Sequence, residues 1–473
     1  MTVLGVEMAE SFSKSLSEKH SGAFLGLASG DALGWPNEQV WGGKVDPFVT
    51  SHQQLLFRSW LKRSGGSYYA HDRLILPGQY SDRTQLALCQ ARSLTYGQKW
   101  LKRFSFIELP FWHLYDRSGN LTNKEAAREW ADQIPTWSGL RRPFELVKFF
   151  EAKDNGILSR IQPLVIARAD DEDFTDLALD IISAGSVTHG HPGALIGALA
   201  YGFAAWQAQN QGLMGTDIIL SLLDSFNKWS VIPNNVDASD PMFKAATTRQ
   251  PDYRNLWRHM AQEMAVSLNQ AKKELTRQSV NQDDVFIRAM DGFDKKKGRQ
   301  ALNTVAMSLF LAARYTQDPV TGLKKASQMI GIDTTTVAAL TGSLLGAFHG
   351  PGFLEPLVDR LQDAKYIIKL TSALKQKDDR GDNYNGPEFD LKYLNNWRDE
   401  LSGLSQGDSK ALPDGRSARV VSREDMMTIN KQFNIIIHNL QTDDGQNLSF
   451  TKIRKLPELK KHKPGLTAAE TSN

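Results

Sequence analysis

The stretch GAFLGLASGDALG, residues 22–34, has glycine at every fourth position and decides how we interpret the fold. Positions four residues apart lie on one face of an α-helix. Glycine inside a helix costs about 1 kcal/mol relative to alanine, so a glycine face is expected where two backbones approach closely. GALIGALAYG, residues 193–202, and VAALTGSLLGAFHG, residues 337–350, carry similar stripes of small residues. The three segments therefore predict tightly packed helices.

Most of the chain up to about Gly350 has helical apolar spacing, as in LNTVAMSLFLAARY, residues 302–315, and alternating runs are scarce. We therefore predict an all-α fold, with an N-terminal arm over residues 1–20 and a compact helical domain over residues 21–360. The polar, breaker-rich stretch QKDDRGDNYNGPE, residues 376–388, predicts a linker or surface loop.

The C-terminal extension, residues 361–473, is less regular. LKYLNNWRDELSGL, residues 391–404, predicts a short helix. FNIIIHNL, residues 433–440, and LSFTKIRKL, residues 448–456, flank the turn-like TDDGQN and can pair as a β-hairpin. The basic and then small-polar tail, residues 454–473, predicts a disordered terminus, with contact to nucleic acid or another partner as the alternative.

Composition excludes several classes of protein. The 473-residue chain is 41% hydrophobic and 23% charged, and no apolar run approaches the ~20 residues that a membrane span needs. The polar start does not resemble a signal peptide, so we expect a cytoplasmic protein without a membrane partner. The net charge of +3 does not by itself indicate nucleic-acid binding. A single cysteine, Cys89 in an apolar stretch, predicts a buried filler and excludes an intramolecular disulfide.

Three short polar clusters stand at predicted helix boundaries. They are GDALGWPNE at residues 30–38, SDRT at 81–84 and IDTTT at 332–336. Carboxylates and hydroxyls without nearby cysteine suit magnesium or manganese better than zinc. Each cluster can also be a helix cap, as Asp333 and Thr336 would be for the helix that follows them.

Asp82 and Arg83 stand together at the first turn of a predicted helix, directly after Ser81. A helix N-terminus carries partial positive charge and favours anions over a guanidinium. One explanation is a serine-capped helix with a solvated surface ion pair, which would contribute little. The other explanation is a specific role for the arginine.

Five segments, in this order, resemble the ADP-ribosylglycohydrolase family. They are GAFLGLASGDALGWPNE (22–38), GQYSDRTQLAL (78–88), DNGILSRIQPL (154–164), SVTHGHPGA (186–194) and GIDTTTVAALTGSLLGAFHG (331–350). The resemblance spans about residues 21–352, and the chain after Phe353 has no counterpart in it. It implies a compact all-α body with an ADP-ribose cleft and a centre of two magnesium or manganese ions.

The resemblance also implies roles for individual residues. Glu38 and Asp82 would be the catalytic carboxylates. The implied metal ligands are Glu38, Ser81, Asp82, Asp333 and Thr336, with Ser81 standing where the family usually has threonine. We expect the ligand to be contacted by Asp31, Arg83, Asn155, Gly156, His189 and Thr335. Taken alone, His189 also fits a histidine that is simply satisfied at a helix end.

Two positions depart from the family pattern, because Arg83 and Thr335 replace aspartates of a five-carboxylate site. The three remaining carboxylates and one guanidinium give −2, and two divalent cations would leave +2 in a poorly solvated site. Such an excess costs on the order of several kcal/mol. We therefore expect at most one magnesium or manganese ion. The alternative is no ion, with the Arg83 guanidinium in place of the lost cation.

These residues lead to one main hypothesis and two alternatives. The resemblance implies hydrolysis of an N- or O-glycosidic bond in an ADP-ribosylated or related ribosyl-nucleotide substrate. The first alternative is an inactive protein that binds ADP-ribose or a nucleotide and signals to a partner through the C-terminal extension. The second is nucleic-acid contact through the basic tail and the DKKKGR loop, residues 294–299.

Overall fold

The computed structural model describes residues 14–38, 55–140, 143–233, 240–277, 282–375 and 390–456. The α-helices are α1 (Leu16–Glu38), α2 (Asp82–Leu94), α3 (Trp100–Arg103), α4 (Leu109–Trp112), α5 (Leu121–Ala131), α6 (Pro143–Glu151), α7 (Ile161–Ala167), α8 (Thr175–Ser186), α9 (Pro192–Gln211), α10 (Thr216–Asp224), α11 (Phe226–Trp229), α12 (Pro241–Arg249), α13 (Tyr253–Thr276), α14 (Gln282–Ala289), α15 (Ala301–Arg314), α16 (Pro319–Gln328), α17 (Thr334–His349), α18 (Glu355–Val358), α19 (Ala364–Ala373) and α20 (Leu391–Leu401). The strands are β1 (Trp60–Ser64), β2 (His71–Ile75), β3 (Ser409–Ala411), β4 (Ser417–Met427), β5 (Phe433–Thr442) and β6 (Asn447–Lys455). A 3₁₀ helix, Asn155–Arg160, precedes α7.

Helices α1 and α17 run antiparallel and touch along their glycine stripes. A Cβ atom added to Gly26 would lie 2.1 Å from the carbonyl oxygen of Gly342, and one added to Gly34 would lie 2.2 Å from that of Thr334. No side chain fits at such distances, which confirms the predicted tight helix packing. Because the two helices are antiparallel, the C-terminal end of α1 lies against the N-terminal end of α17.

The central helix of the body is α9, which is buried along almost its whole length. Its sequence is apolar on every side, as expected for a helix surrounded by others. It packs against α8, α13, α15 and α17. The predicted helix LNTVAMSLFLAARY is observed as α15.

Helix α2 lies inside the body, where it packs against α1, α7 and the 3₁₀ helix. Every residue from Asp82 to Ser93 is buried. Cys89 is free and fully buried, as predicted. The interior position of α2 brings the SDRT motif to the junction of α1 and α17.

Two β-structures are added to the helices. Strands β1 and β2 form an antiparallel hairpin, and β3 to β6 form an antiparallel sheet in sequential order. The prediction of a helical body is confirmed, but the fold is not strictly all-α, because the β1–β2 hairpin lies within residues 21–360 and the four-stranded sheet lies in the C-terminal extension. The predicted hairpin is confirmed, since β5 pairs with β6 from Phe433 opposite Lys455 to Gln441 opposite Asn447. Strand β4 exposes most of its side chains, so its sequence gives only a weak strand signal.

The C-terminal sheet is packed onto the helical body. Val420, Leu440 and Phe450 of the sheet share a buried apolar cluster with Phe111 and Trp112 of α4. The predicted short helix at residues 391–404 is observed as α20 and joins the same cluster. Helix α19, which falls in the predicted extension, packs against α1.

Several predictions fall on residues outside the described parts of the chain. These are most of the N-terminal arm, the linker at 376–388 and the tail from residue 457 onward. Among the helices that the structure describes, none is both long enough and apolar enough to cross a membrane.

Candidate functional site

Four chain segments meet where the end of α1 faces the starts of α2 and α17. Helix α1 ends at Glu38, α2 begins at Asp82, the 3₁₀ helix begins at Asn155 and α17 begins at Thr334. Hydrogen bonds and ion pairs link side chains from all four segments, as detailed below. The structure therefore brings together residues from motifs that are up to 300 positions apart.

Arg83 is the centre of this cluster and is buried. Its Nη1 donates to Oδ1 and Oδ2 of Asp82 at 2.7 and 2.8 Å, and its Nε donates to Thr336 Oγ1 at 3.1 Å. Its Nη2 lies 3.7 Å from Asp333 Oδ2. Burial by itself would lower the pKa of Arg83, but the surrounding carboxylates outweigh it and raise the pKa. Ser81 caps α2 as expected, yet the ion pair is in the interior and not on a solvated surface.

Asp333 caps α17 and is fully buried. Its Oδ1 accepts from the backbone N–H of Thr336 at 3.2 Å, and its Oδ2 accepts from Asn155 Nδ2 at 2.7 Å. Burial by itself would raise the pKa of Asp333, but the guanidinium groups of Arg83 and Arg299 outweigh it and lower the pKa. Asp333 therefore stays ionised and holds Asn155 against the start of α17.

Asp31 holds the start of α2 from the side of α1. Its carboxylate accepts from the backbone N–H of Ser81 at 3.1 Å, the backbone N–H of Thr84 at 2.9 Å and the Thr84 hydroxyl at 2.7 Å. Burial raises the pKa of Asp31 to about 6. In this arrangement Asp31 positions the SDRT motif, and its predicted contact with ligand stays a prediction.

Glu38 lies at the accessible edge of the cluster. Its Oε2 accepts from Thr335 Oγ1 at 2.7 Å and its Oε1 accepts from Arg299 Nη2 at 2.7 Å. The side chain is 14% exposed, compared with 1% for Asp82 and 0% for Asp333. Burial, together with the Asp333 carboxylate, raises the pKa of Glu38. Glu38 is thus the least buried carboxyl of this cluster.

A second set of hydrogen bonds lies beside Asn155 and contains His189. His189 Nε2 is 3.1 Å from Asp154 Oδ1, and its Nδ1 is 2.7 Å from Thr188 Oγ1. Asp154 Oδ1 also accepts from the backbone N–H of Gly156 at 2.9 Å. Burial by itself would raise the pKa of Asp154, but His189 and the hydrogen bonds outweigh it and lower the pKa. Both ring nitrogens of His189 are therefore occupied by protein groups.

The predicted site residues fall into two connected groups. Those in the central cluster are Asp31, Glu38, Ser81, Asp82, Arg83, Asn155, Asp333, Thr335 and Thr336. Gly156 and His189 form the second group, and both contact Asp154, the residue before Asn155.

Sequence reasoning missed Asp154, Arg299 and Thr304 as parts of the site. Asp154 directly precedes Asn155, and its role as cap of the 3₁₀ helix could have been inferred from the Asp-Asn-Gly order. Thr304 accepts from Asn155 Nδ2 at 3.0 Å. Arg299 belongs to the DKKKGR loop that suggested nucleic-acid binding, and nothing in the sequence links it to Glu38, 261 positions away.

The donor groups as arranged do not fit a divalent metal ion. Both oxygens of Asp82 bind the Arg83 guanidinium, and both oxygens of Glu38 are bound by Arg299 and Thr335. Within the described residues there is no group of three or more His, Cys, Asp or Glu side chains suited to a metal ion. The expectation of at most one magnesium or manganese ion, with no ion as the alternative, stays a prediction.

A match to a family model confirms the resemblance noted above. The family model described as ADP-ribosylglycohydrolase matches residues 13–383. A solved structure described as an ADP-ribosylglycohydrolase-related protein complex is similar at 22% identity and a TM-score of 0.47, over 77% of this chain and 99% of that one. No curated protein matches the chain. Strands β3 to β6 lie beyond the family match.

Proposed function

Because the chain belongs to the ADP-ribosylglycohydrolase family, we propose that it hydrolyses an N- or O-glycosidic bond of an ADP-ribosyl or related ribosyl-nucleotide substrate. Water adds to the anomeric carbon of the ribose, the acceptor leaves with a proton, and ADP-ribose is released. The observation that carries the proposal is Glu38, a mostly buried carboxyl with a raised pKa at the accessible edge of the cluster.

Glu38 is the proposed acid and base of the reaction. A carboxyl group with a raised pKa can hold a proton near neutral pH and donate it to the departing acceptor. Once ionised, it can accept a proton from the attacking water. Thr335 and Arg299 each bind one of its oxygens, which fixes the orientation of the carboxyl group.

The charge of the cluster suits the transition state of glycosidic hydrolysis, which carries positive charge on the ribose ring. With Glu38 ionised, the carboxylates of Glu38, Asp82 and Asp333 outnumber the guanidinium groups of Arg83 and Arg299 by one. The carboxylate of Asp31 increases this negative excess when it is ionised. A fixed negative charge in a poorly solvated site stabilises developing positive charge.

Arg83 is proposed to occupy the position of a divalent cation in this site. It neutralises Asp82 and Asp333, which are the carboxylates that would otherwise need a metal ion. A guanidinium group is permanently charged and holds several donors in a plane. The proposed reaction therefore depends on magnesium or manganese less than a five-carboxylate centre would.

Binding of the product can be tested without knowing the acceptor. A ligand that binds only the folded state stabilises it by RT ln(1 + [L]/Kd), about 2.7 kcal/mol at 100 times Kd. We expect millimolar ADP-ribose to raise the melting temperature, with or without magnesium. The absence of any rise under both conditions would contradict the proposal.

Catalysis is tested by release of ADP-ribose from substrates linked through arginine, serine or a nucleobase. We expect one class to be cleaved, and Glu38→Gln to lower kcat by at least about 100-fold, the scale of general acid catalysis. Glu18→Gln, in the first turn of the same helix, is the matched control and should retain activity. If Glu38→Gln is as active as Glu18→Gln, the role assigned to Glu38 is wrong.

A further inference from the structure

A second charged region lies beside α1, at Trp35. It is a cavity of about 470 Å³. Its walls are the β1–β2 hairpin, residues 116–118, Lys124 of α5, α20 and β6. The cationic residues that line it are Lys62, Arg73, Arg117, Lys124, Arg398 and Lys452, against a single lining carboxylate, Asp116. We call this region the basic cavity.

The centre of the basic cavity is a pair of like charges. Lys62 of β1 stands directly opposite Arg73 of β2 in the hairpin register, and both side chains are on the less exposed face. Like charges opposite each other in a hairpin are destabilising. Each is bound only by a hydroxyl within the described parts of the chain, Lys62 Nζ by Ser64 at 3.1 Å and Arg73 by Ser449.

Arg117 adds a third cation and is almost fully buried. Its Nη1 donates to the Tyr80 carbonyl oxygen at 3.1 Å and to Gln362 Oε1 at 2.9 Å, which are both uncharged acceptors. Burial lowers the pKa of Arg117, and burial together with Arg117 lowers the pKa of Arg73 to about 10. Carboxylates are in range to act on each of the three, such as Asp116 on Lys62 and Glu424 on Arg73. None of the three cations, however, forms a direct ion pair with a carboxylate among the residues that the structure describes.

Two cations at the rim have partners. Lys124 Nζ lies 3.0 Å from Asp116 Oδ1, and Lys452 forms an ion pair with Asp399. The Nε of Arg398 is buried and has no hydrogen-bond partner among the described residues. An acceptor from a ligand would satisfy it.

We infer that the basic cavity binds an anion with two or more neighbouring phosphate groups. Arginine and lysine together match the oxygens and charge of phosphates. The cavity volume lies in the range of small-molecule sites. Three cations without a direct ion pair among the described residues exceed what one carboxylate of a ligand would neutralise, which favours a diphosphate over a carboxylic acid.

The basic cavity adjoins the candidate catalytic cluster. Trp35 of α1, which lines it, lies between Asp31 and Glu38 in sequence, and the Tyr80 carbonyl that binds Arg117 directly precedes Ser81. Phosphates bound here would therefore lie beside the site of the proposed hydrolysis. Strand β6 supplies Lys452 and the Ser449 hydroxyl, which gives the C-terminal sheet a role in forming the site.

Inorganic pyrophosphate is the probe that tests this inference, by calorimetric titration of the full-length protein without divalent metal. We expect saturable binding, and at least a tenfold weaker affinity for Lys62→Gln and for Arg73→Gln, because each loses a charged hydrogen bond. Lys452→Gln, on β6, should also weaken binding. Arg63→Gln is the matched control, since Arg63 is on the outward face of β1 and pairs with Asp72; it should bind as the parent does.

Absence of saturable binding at millimolar pyrophosphate would overturn the inference, and so would inward variants that bind as tightly as Arg63→Gln. Stability without ligand gives an independent check. Lys62→Gln and Arg73→Gln should melt at or above the temperature of the parent, because each removes cross-strand repulsion. A marked fall in the melting temperature of either variant would contradict the claim that Lys62 and Arg73 repel each other.

Competition with ADP-ribose identifies the source of the phosphates. If saturating ADP-ribose displaces pyrophosphate, the basic cavity holds the diphosphate of the ADP-ribosyl group itself. If both bind together, it holds a phosphate-bearing acceptor. The titration needs no turnover, so its result does not depend on whether the proposed hydrolysis is observed.

Discussion

The candidate catalytic cluster and the basic cavity are both rich in charged side chains. In the cluster opposite charges are paired, whereas in the basic cavity like charges are close together. In the cluster, the Arg83 guanidinium lies between Asp82 and Asp333, and Glu38 binds Arg299. In the basic cavity, cations from two strands and a buried loop face one another. The first arrangement is complete within the protein, whereas the second would be completed by an anion.

The paired charges of the cluster therefore stabilise the fold, whereas the cations of the basic cavity are available to bind an anion. Removing one partner of a buried ion pair strongly destabilises the folded protein, because the other partner stays buried without its counter-charge. A group of like charges instead lowers stability until a ligand neutralises it. Substitutions in the two regions should therefore change stability in opposite directions.

Arg83→Met should give the largest effect. It leaves the carboxylates of Asp82 and Asp333 buried without their counter-charge, which should cost about 3–5 kcal/mol in the free energy of unfolding. Urea denaturation at neutral pH measures it. Arg63→Met is the control, because Arg63 forms an exposed pair with Asp72 that is worth at most about 1 kcal/mol. Equal losses in the two variants would remove the distinction between the regions.

Gly26→Ala should give the next largest effect, by separating the helices that support the cluster. The added methyl group would lie 2.1 Å from the carbonyl oxygen of Gly342, and such overpacking costs about 1–3 kcal/mol. Gly352→Ala is the matched control, since no atom lies within 4 Å of its added Cβ. Thermal or urea denaturation should show a loss for the first variant and almost none for the second.

The pH dependence of stability should give the smallest effect and concerns Lys62. Burial and Arg73 lower its pKa from 10.5 to about 8, while Asp116 and Asp82 act in the opposite direction and Lys124 in the same one. Because the unfolded chain holds this proton up to higher pH, stability should rise relative to Lys62→Gln as pH increases from 8 to 10.5. After allowance for solvent screening, we expect about 1–2 kcal/mol. A difference in the free energy of unfolding between parent and variant that stays constant across that range would contradict a lowered pKa of Lys62.

The helical body could be predicted because its sequence repeats the same pattern, a small residue at every fourth position of a helix, which is required where helix backbones are in contact. The glycine stripe from Gly22 to Gly34 has meaning only where backbones touch, and the structure places that stripe against α17. The C-terminal sheet could be predicted only in part. Strand β5 has a run of apolar residues, whereas β4 is mostly exposed and alternates weakly.

The candidate site could be predicted only where a motif marks a helix end. Asp82, Arg83 and Asp333 occupy caps or first turns that can be recognised locally. Arg299 could not be predicted, because its contact with Glu38 depends on how two distant segments fold together. The basic cavity was missed for the same reason, because the β1–β2 hairpin, which places Lys62 opposite Arg73, was not predicted.

The most direct test of the account asks whether Arg83 stands in for a metal ion. The measurement is a calorimetric titration with magnesium and with manganese on the parent, Arg83→Asp, Thr335→Asp and the double variant. We predict that the parent binds at most one ion and that the double variant binds one more. Each single variant should gain less, so that the two changes are non-additive. Two ions in the parent, or equal ion numbers and affinities in all four proteins, would contradict the account.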